Sequence, residues 1–219
     1  MALLSCKEEG RLEAGCDEAG RGCLAGPVFA AAVILDLHKP FGKLKAAPFG
    51  KSIPSIRDSK LLSEKQRAEA RAWIEAHALA WAVRRIDPPE IDKINILQAS
   101  VKAMHLCLEA LPLRPDFILV DGHYFHPFPS EENPIPHSCE VKGDGRFLSI
   151  AAASILAKTH RDEFMLKLHQ KHPQYHWDSN KGYPTKAHRE AILKYGPTPF
   201  HRRSFRLYPA PGEQGKLEF

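Results

Sequence analysis

The chain has 219 residues, 43% hydrophobic and 26% charged, with a formal net charge of +5 at pH 7, values that are ordinary for a globular protein with one substantial core. No apolar run is long enough to cross a membrane, and the first six residues are too short and too soon charged for a signal peptide. Five cysteines at irregular spacing favour reduced thiols over a disulfide framework, so we expect a cytoplasmic protein.

The first predicted elements are two strands joined by a turn rich in glycine. Residues 12–17 have the pattern of a strand, and residues 26–35 are apolar enough to indicate a buried one. Their short connection predicts an antiparallel hairpin. Asp17 and Glu18 are therefore expected at the rim of a sheet.

The turn between these strands combines a cation with close access to the backbone. Gly20 and Gly22 flank Arg21, so a phosphate can approach the backbone and meet a guanidinium there. The next residues, 36–57, contain several prolines and glycines but no sustained period. They predict a loop that is mobile at its tip.

A helix is predicted over residues 63–77, because Ser63 and Gln66 have the spacing of a capping box. Lys60 lies just before this cap, where its ammonium group could reach a phosphate; a solvated lysine is the alternative. Residues 79–86 predict a third strand. A second helix follows two prolines, and one apolar core face of it is formed by Ile94, Leu97, Val101, Met104 and Leu108.

The next strand, residues 115–120, leads into Asp121 at its carboxyl end, where open α/β sheets place functional groups. Residues 122–138 are rich in proline and predict a loop. Its histidines and Cys139 have a spacing that matches no common structural zinc site, so we interpret them as loop residues. These histidines are His123, His126 and His137.

A long helix is predicted over residues 147–172, after a short strand at residues 139–141. Asp144 lies at the N-terminal end of this helix, where the helix dipole favours a carboxylate. A role in helix capping alone is the alternative for Asp144. The small residues 149–154 leave room for backbone or ligand to come close.

The C-terminal third of the chain is basic. Residues 158–207 contain eleven Lys and Arg against four Asp and Glu, a surplus of seven. Aromatic residues interleave with Arg202 and Arg203, which predicts a surface that stacks on bases or sugars and neutralises phosphates. We therefore expect a nucleic-acid partner. Residues 208–219 are predicted to be a disordered tail.

Four acids stand out by predicted position: Asp17, Glu18, Asp121 and Asp144. Carboxylates are preferred ligands of hard divalent cations, and four converging carboxylates repel one another unless cations neutralise them. Two such ions, about 4 Å apart, activate a water and stabilise a leaving oxygen. We expect two ions, Mg²⁺ or Mn²⁺, during catalysis. Because neighbouring strand residues point to opposite faces, the sequence does not assign an ion to each acid.

Seven motifs occur in order between residues 12 and 207. They are DEAGRG with AGPV, DSKLLSEKQR, INILQAS, VDG, KGDGRFLSIAAASILAKTHRD, KGYPTKAHR and GPTPFHRRSF. With these motifs the chain resembles the ribonuclease HII family. The resemblance implies an α/β, RNase H-like fold: a mixed five-stranded sheet flanked by helices, with a C-terminal helical extension. We expect a monomer with one catalytic domain over residues 10–207, its core at about 11–172 and its basic extension at about 173–207.

The resemblance also implies an activity and roles for residues. The activity is hydrolysis of the phosphodiester 5′ to a ribonucleotide, in RNA·DNA hybrids and at single ribonucleotides in duplex DNA, leaving 3′-hydroxyl and 5′-phosphate ends. This activity serves ribonucleotide removal from DNA. The four acids match the catalytic, metal-binding positions. Gly20, Arg21 and Gly22 match the turn that reads the ribonucleotide, and Tyr183 matches the tyrosine at the junction ribose. Cys23 replaces the family's usual proline, which frees φ and predicts a slightly less rigid turn.

Two other functions fit parts of the pattern. An RNase H-like junction resolvase would share the acids, but the turn at Gly20 to Gly22 and Tyr183 argue against it. A non-catalytic nucleic-acid-binding module would not need four acids. Cleavage assays on duplex DNA with and without one ribonucleotide distinguish the resolvase from a ribonuclease H. Metal-dependent turnover distinguishes the non-catalytic module from an enzyme.

Overall fold

The computed structural model describes residues 3–35, 56, 59–129 and 133–208. The strands in these ranges are β1 (Glu13–Ala19), β2 (Val28–Ile34), β3 (Ala80–Ile86), β4 (Phe117–Asp121) and β5 (His137–Glu140). The helices are α1 (Glu64–His77), α2 (Pro88–Ile94), α3 (Ile96–Glu109), α4 (Leu148–Lys171), α5 (Trp177–Asn180) and α6 (Lys186–Tyr195). The predictions of a mobile loop at 36–57 and a disordered tail at 208–219 fall, apart from residues 56 and 208, outside the described residues.

The strands form one mixed sheet in the order β3-β2-β1-β4-β5. The predicted hairpin is confirmed, because β1 and β2 pair antiparallel with Asp17 opposite Ala31. β4 pairs parallel with β1, but this pairing ends where Cys16 lies opposite Val120. β1 continues to Ala19, two residues beyond its predicted end. The two strands therefore separate at their carboxyl ends and leave an opening beside Asp17.

Helices cover both faces of the sheet. On one face, α3 packs against the buried alanines and other apolar residues of β1 and β2. On the other face lie α1 and the N-terminal half of α4. Gly15 allows α4 to cross β1 closely, since a Cβ at Gly15 would lie 2.2 Å from the carbonyl carbon of Ser149. The small residues at the start of α4 thus admit backbone, as predicted.

The predicted helix start at Ser63 is confirmed by both hydrogen bonds of the capping box with Gln66. The single helical face predicted from Ile94 to Leu108 is divided between two helices. Asn95 interrupts it with φ of 65° and ψ of 165°, a backbone conformation that cannot continue a helix. The Asn95 side chain accepts the N–H groups of the first residues of α3, so it caps the second helix.

The C-terminal extension packs on the turn between β1 and β2. Leu24 and Ala25 of that turn share an apolar cluster with Met165 of α4 and with Trp177 and Ile192 of the extension. The extension is therefore built into the rim of the cleft. Among the described residues, none of the helices has the length and apolar character needed to span a membrane.

Candidate active site

A cavity of about 320 Å³ opens where β1 and β4 separate. It is lined by three of the four predicted acids and by the other residues named for substrate binding near the turn. The helix α4 adds Ser154 and Lys158, which the sequence analysis did not assign to a site. Lys158 is held by Asp162 through two contacts of 2.7 Å. The predicted residues that line the cavity are Asp17, Glu18, Gly20, Arg21, Gly22, Lys60, Asp121 and Tyr183.

Asp17 and Glu18 lie on opposite faces of β1. Asp17 is opposite Ala31, on the face covered by α4, and Glu18 is opposite Ala30, on the face covered by α3. Asp121 ends β4 in the gap between these faces and lines cavities on both sides. Glu18 also lines both cavities, and all three acids line the larger one, so the acids of β1 and β4 meet in one site.

The acids of the cleft oppose one another's ionisation. Burial raises the pKa of Asp17 well above its usual value, and the charges of Glu18 and Asp121 raise it further. Burial likewise raises the pKa of Asp121, although a backbone N–H donated by Gly143 stabilises its charge. Burial also raises the pKa of Glu18. The positive charge of Arg21, whose Nη1 lies 3.1 Å from Oε1 of Glu18, reduces this rise. Divalent cations would relieve this accumulation of buried negative charge.

The donor chemistry of the cleft fits Mg²⁺ or Mn²⁺, because its candidate ligands are carboxylate oxygens. Among the described residues, no three His, Cys, Asp or Glu side chains are spaced closely enough to form a metal site by themselves. This also holds for the loop histidines His123, His126 and His137. Sites for Mg²⁺ in phosphate chemistry commonly use one or two carboxylates and take their remaining ligands from water and substrate.

Asp144 is buried beside Asp121, but it does not begin the long helix. It lies in a 3-10 turn, Gly143–Gly145, whereas α4 starts at Leu148 without a side-chain cap. The alternative role of Asp144 as a helix cap is therefore wrong. Lys60 lies with its Nζ 3.5 Å from Oδ2 of Asp144, and its side chain is largely exposed at the cleft.

The turn after β1 needs glycine at its first position. Gly20 has φ of +93°, and a Cβ there would lie 2.0 Å from Nε of Arg161. Cys23 is fully buried, and its N–H donates to the carbonyl oxygen of Gly20 at 3.4 Å. The proline usual in the family could not make this hydrogen bond. The lower rigidity expected from Cys23 stays a prediction.

Tyr183 is fixed to this turn through its neighbour Gly182. The Gly182 carbonyl accepts the N–H groups of Leu24 at 2.8 Å and of Ala25 at 3.3 Å. A Cβ at Gly182 would lie 2.4 Å from the carbonyl oxygen of Ala25, so only glycine allows this approach. Tyr183 is 41% exposed and lines the cavity. The structure therefore brings together the turn and the tyrosine that the sequence analysis paired.

The prediction that Arg202 contacts phosphate on the surface is wrong. Arg202 is fully buried, and its guanidinium donates to the carbonyl oxygens of Gly20, Arg21 and Gly26. Its neighbour Arg203 is exposed, with its backbone N–H donated to Asp92 at 2.8 Å. Arg161, also counted in the basic third, is buried as well. The sequence does not distinguish the buried arginines from the exposed one, because only tertiary contacts decide which side chain lies in the interior.

Comparison with known proteins gives a consistent result. The sequence profile of the Ribonuclease HII family matches residues 14–208. A protein from Parabacteroides distasonis named Ribonuclease HII is 56% identical over 207 residues, covering 94% of this chain and 96% of that protein. The crystal structure of ribonuclease H2 from Pyrococcus horikoshii OT3 is similar with a TM-score of 0.71 at 27% identity, covering 89% of this chain and 94% of that one. Bst-RNase HIII in complex with Mn²⁺ shares the fold with a TM-score of 0.65 at 20% identity, covering 90% of this chain and 68% of that one.

Proposed function

The chain belongs to the ribonuclease HII family, has an RNase H-like fold and is a ribonuclease H, and from this premise we propose that it cleaves 5′ to a ribonucleotide. Its substrates are RNA·DNA hybrids and duplex DNA with single embedded ribonucleotides, and its products carry 3′-hydroxyl and 5′-phosphate ends. One observation carries the proposal: the acidic cleft, the turn at Gly20 to Gly22 and Tyr183 line a single cavity. Cleavage and recognition of the ribose can therefore occur at one phosphodiester.

In this proposal the four acids hold two divalent ions, Mg²⁺ or Mn²⁺, with Asp17 and Asp121 central to the cleft. Bound divalent ions would supply water activation and neutralisation of charge at the phosphate. The chain itself keeps the carboxylates in place: Gly143 donates its N–H to Oδ1 of Asp121 at 2.7 Å, and the N–H of Glu18 lies 2.6 Å from Oδ1 of Asp17. Glu18 at the cavity and Asp144, whose charge acts on Asp121, complete the proposed set of ligands.

Recognition of the ribose depends on the turn and on Tyr183. Within the described part of the chain, the N–H groups of Arg21 and Gly22 have no acceptor, and both residues line the cavity. They are available for a 2′-hydroxyl, the feature that distinguishes RNA from DNA at a given site. The exposed face of Tyr183 can pack on the next sugar. Lys60 and Arg203 contribute positive charge toward the phosphate backbone.

We propose that residues 10–207 act as one catalytic domain, as a monomer, and that the activity serves removal of ribonucleotides from DNA. The shared apolar cluster of the extension, α4 and the turn supports a single unit. The five cysteines are free thiols, which suits the reducing cytoplasm.

The test is cleavage of an end-labelled duplex that contains one ribonucleotide, with Mg²⁺ and with EDTA. We expect one cut, 5′ to the ribonucleotide, only with Mg²⁺, and ends that a ligase can rejoin. A duplex of the same sequence without the ribonucleotide, and a four-way DNA junction, are the matched controls. Cleavage of the junction in preference to the ribonucleotide duplex would support the resolvase alternative and overturn the proposal.

A further inference from the structure

Two arginine side chains lie completely inside the protein beneath the turn that follows β1. Arg161 of α4 is 1% exposed and Arg202 of the extension is 0% exposed. Within the described residues, both guanidinium groups donate to backbone carbonyl oxygens, and no carboxylate lies at hydrogen-bond distance from either. Burial lowers the pKa of Arg202 to about 10, so the guanidinium remains charged at neutral pH. Burying a cation without a paired anion costs free energy of folding. Two such cations beneath one turn therefore indicate that the conformation of this turn depends on them.

The Arg202 guanidinium donates hydrogen bonds to three backbone carbonyl groups, which lie at the two ends of the turn. Its Nη2 donates to Gly20 at 2.7 Å, its Nη1 to Arg21 at 2.8 Å and its Nε to Gly26 at 3.0 Å. The planar guanidinium offers donors in a fixed fork, which a lysine ammonium cannot reproduce. These contacts draw the carbonyl groups of Gly20 and Arg21 into the interior. The next N–H groups, of Arg21 and Gly22, then find no acceptor among the residues that the structure describes, and both residues line the cavity.

Arg161 connects the same turn to the segment that carries Tyr183. Its Nε donates to Pro27 at 3.1 Å and its Nη2 to Ala25 at 3.2 Å, whereas its Nη1 donates to Lys181 at 2.9 Å. The Arg161 guanidinium carbon also lies 5.9 Å from the centre of the Tyr183 ring. Together with the hydrogen bonds from Leu24 and Ala25 to the Gly182 carbonyl, the Arg161 side chain sets the separation between the turn and Tyr183.

We propose that Arg161 and Arg202 are positioning residues for ribonucleotide cleavage. They orient the N–H donors of the turn toward the ribose and hold Tyr183 at a set distance from them, without touching the nucleic acid themselves. The inference rests on the proposed function, because it assigns the purpose of this geometry to that substrate. It also reverses the expected role of Arg202, from phosphate contact to support of the turn.

The test compares Arg202→Lys and Arg161→Lys with Arg203→Ala, which removes an exposed neighbour. Each lysine variant keeps the charge and loses the fork. On the duplex with one ribonucleotide, well below the melting temperature, we expect a ten- to a hundredfold lower single-turnover rate. The dissociation constant and its salt dependence should stay close to wild type. Arg203→Ala should instead weaken binding and reduce the slope of log K against log salt by about 0.9, the value of one phosphate contact.

Hydrogen exchange supplies a readout that does not depend on activity. Amides of residues 23–26, which are hydrogen-bonded in the structure, should exchange faster in Arg202→Lys and Arg161→Lys, with the sheet unchanged, and should be unaffected in Arg203→Ala. A salt slope reduced in Arg202→Gln, which removes the charge, by as much as in Arg203→Ala would show that Arg202 reaches phosphate and would overturn the inference. Wild-type rates in both lysine variants would overturn it too. Failure of the wild-type enzyme to cut the ribonucleotide duplex would instead contradict the proposed function, and the exchange data would remain interpretable.

Discussion

Asp17 and Glu18 are adjacent in β1, yet they approach the cleft from different faces of the sheet. A regular strand requires this alternation. Both acids reach one site because β4 stops pairing with β1 at Val120, so Asp121 stands in the gap. The position of the cleft thus follows from where the β1–β4 pairing ends, and each acid contributes a carboxylate that burial makes harder to ionise.

Asp17→Asn and Asp121→Asn should each lower turnover by at least about a thousandfold at saturating Mg²⁺. Binding of an RNA·DNA hybrid should remain close to wild type, because the acids serve the metal ions and the basic surface carries affinity. Rates and equilibrium binding are measured on the same preparations. Glu69→Gln, an exposed acid on α1 away from the cleft, is the control that should keep the wild-type rate. More than a small residual rate in either cleft variant would refute the assignment.

Tyr183→Ala should reduce the cleavage rate mainly at a lone ribonucleotide in DNA, and much less on a continuous RNA·DNA hybrid. The reason is that the ring is expected to pack on the deoxyribose after the ribonucleotide, where a second 2′-hydroxyl would crowd it. Tyr183→Phe should be mild if packing dominates. The measurement is the ratio of rates on the two substrates. An equal loss on both, with a lower melting temperature, would instead mark Tyr183 as a packing residue.

The C-terminal extension is joined to the cleft through two buried histidines. His188 donates its Nδ1–H to the Tyr183 carbonyl at 2.9 Å and accepts the indole N–H of Trp177 at 3.0 Å. His201 accepts the backbone N–H of Thr198, so its other ring nitrogen donates to His188 at 3.2 Å. These bonds require both rings to be neutral. Burial lowers the pKa of both histidines, and that of His201 to about 4.

The contribution of His188 and His201 to stability should decrease as pH falls from about 6.5 toward 4, opposed by the cleft acids, whose raised pKa values favour proton binding by the folded chain. A histidine whose folded pKa lies below its unfolded value of about 6.5 binds its proton preferentially in the unfolded chain. Its contribution to stability is therefore complete above pH 6.5 and decreases on acidification, at up to about 1.4 kcal/mol per pH unit. Melting temperatures between pH 7 and 5 check this, and His201→Gln should show a smaller decrease. A curve as steep in the variant as in wild type would contradict the role of His201.

At the scale of the whole molecule, local patterns predicted most of the fold. The hairpin, the capping box at Ser63 and the acids at strand ends depend on neighbouring residues, and the structure has each of them. The break at Asn95 and the 3-10 turn around Asp144 were missed, because single backbone angles decide them. The interior position of Arg202 was not predictable from its neighbours in sequence, because the carbonyl groups to which it donates hydrogen bonds lie 176 to 182 residues earlier in the chain.

The central claim is that the cleft cuts where the turn and Tyr183 detect a 2′-hydroxyl. The most direct measurement is the single-turnover cleavage rate, in Mg²⁺, of otherwise identical duplexes in which one nucleotide carries 2′-OH, 2′-F, 2′-O-methyl or 2′-H. A site built to hydrogen-bond a hydroxyl discriminates strongly against its absence, by about 10⁴-fold or more. We therefore predict rapid cleavage only with 2′-OH and rates lower by about that factor for the other three. Comparable rates with 2′-OH and 2′-H would contradict the account.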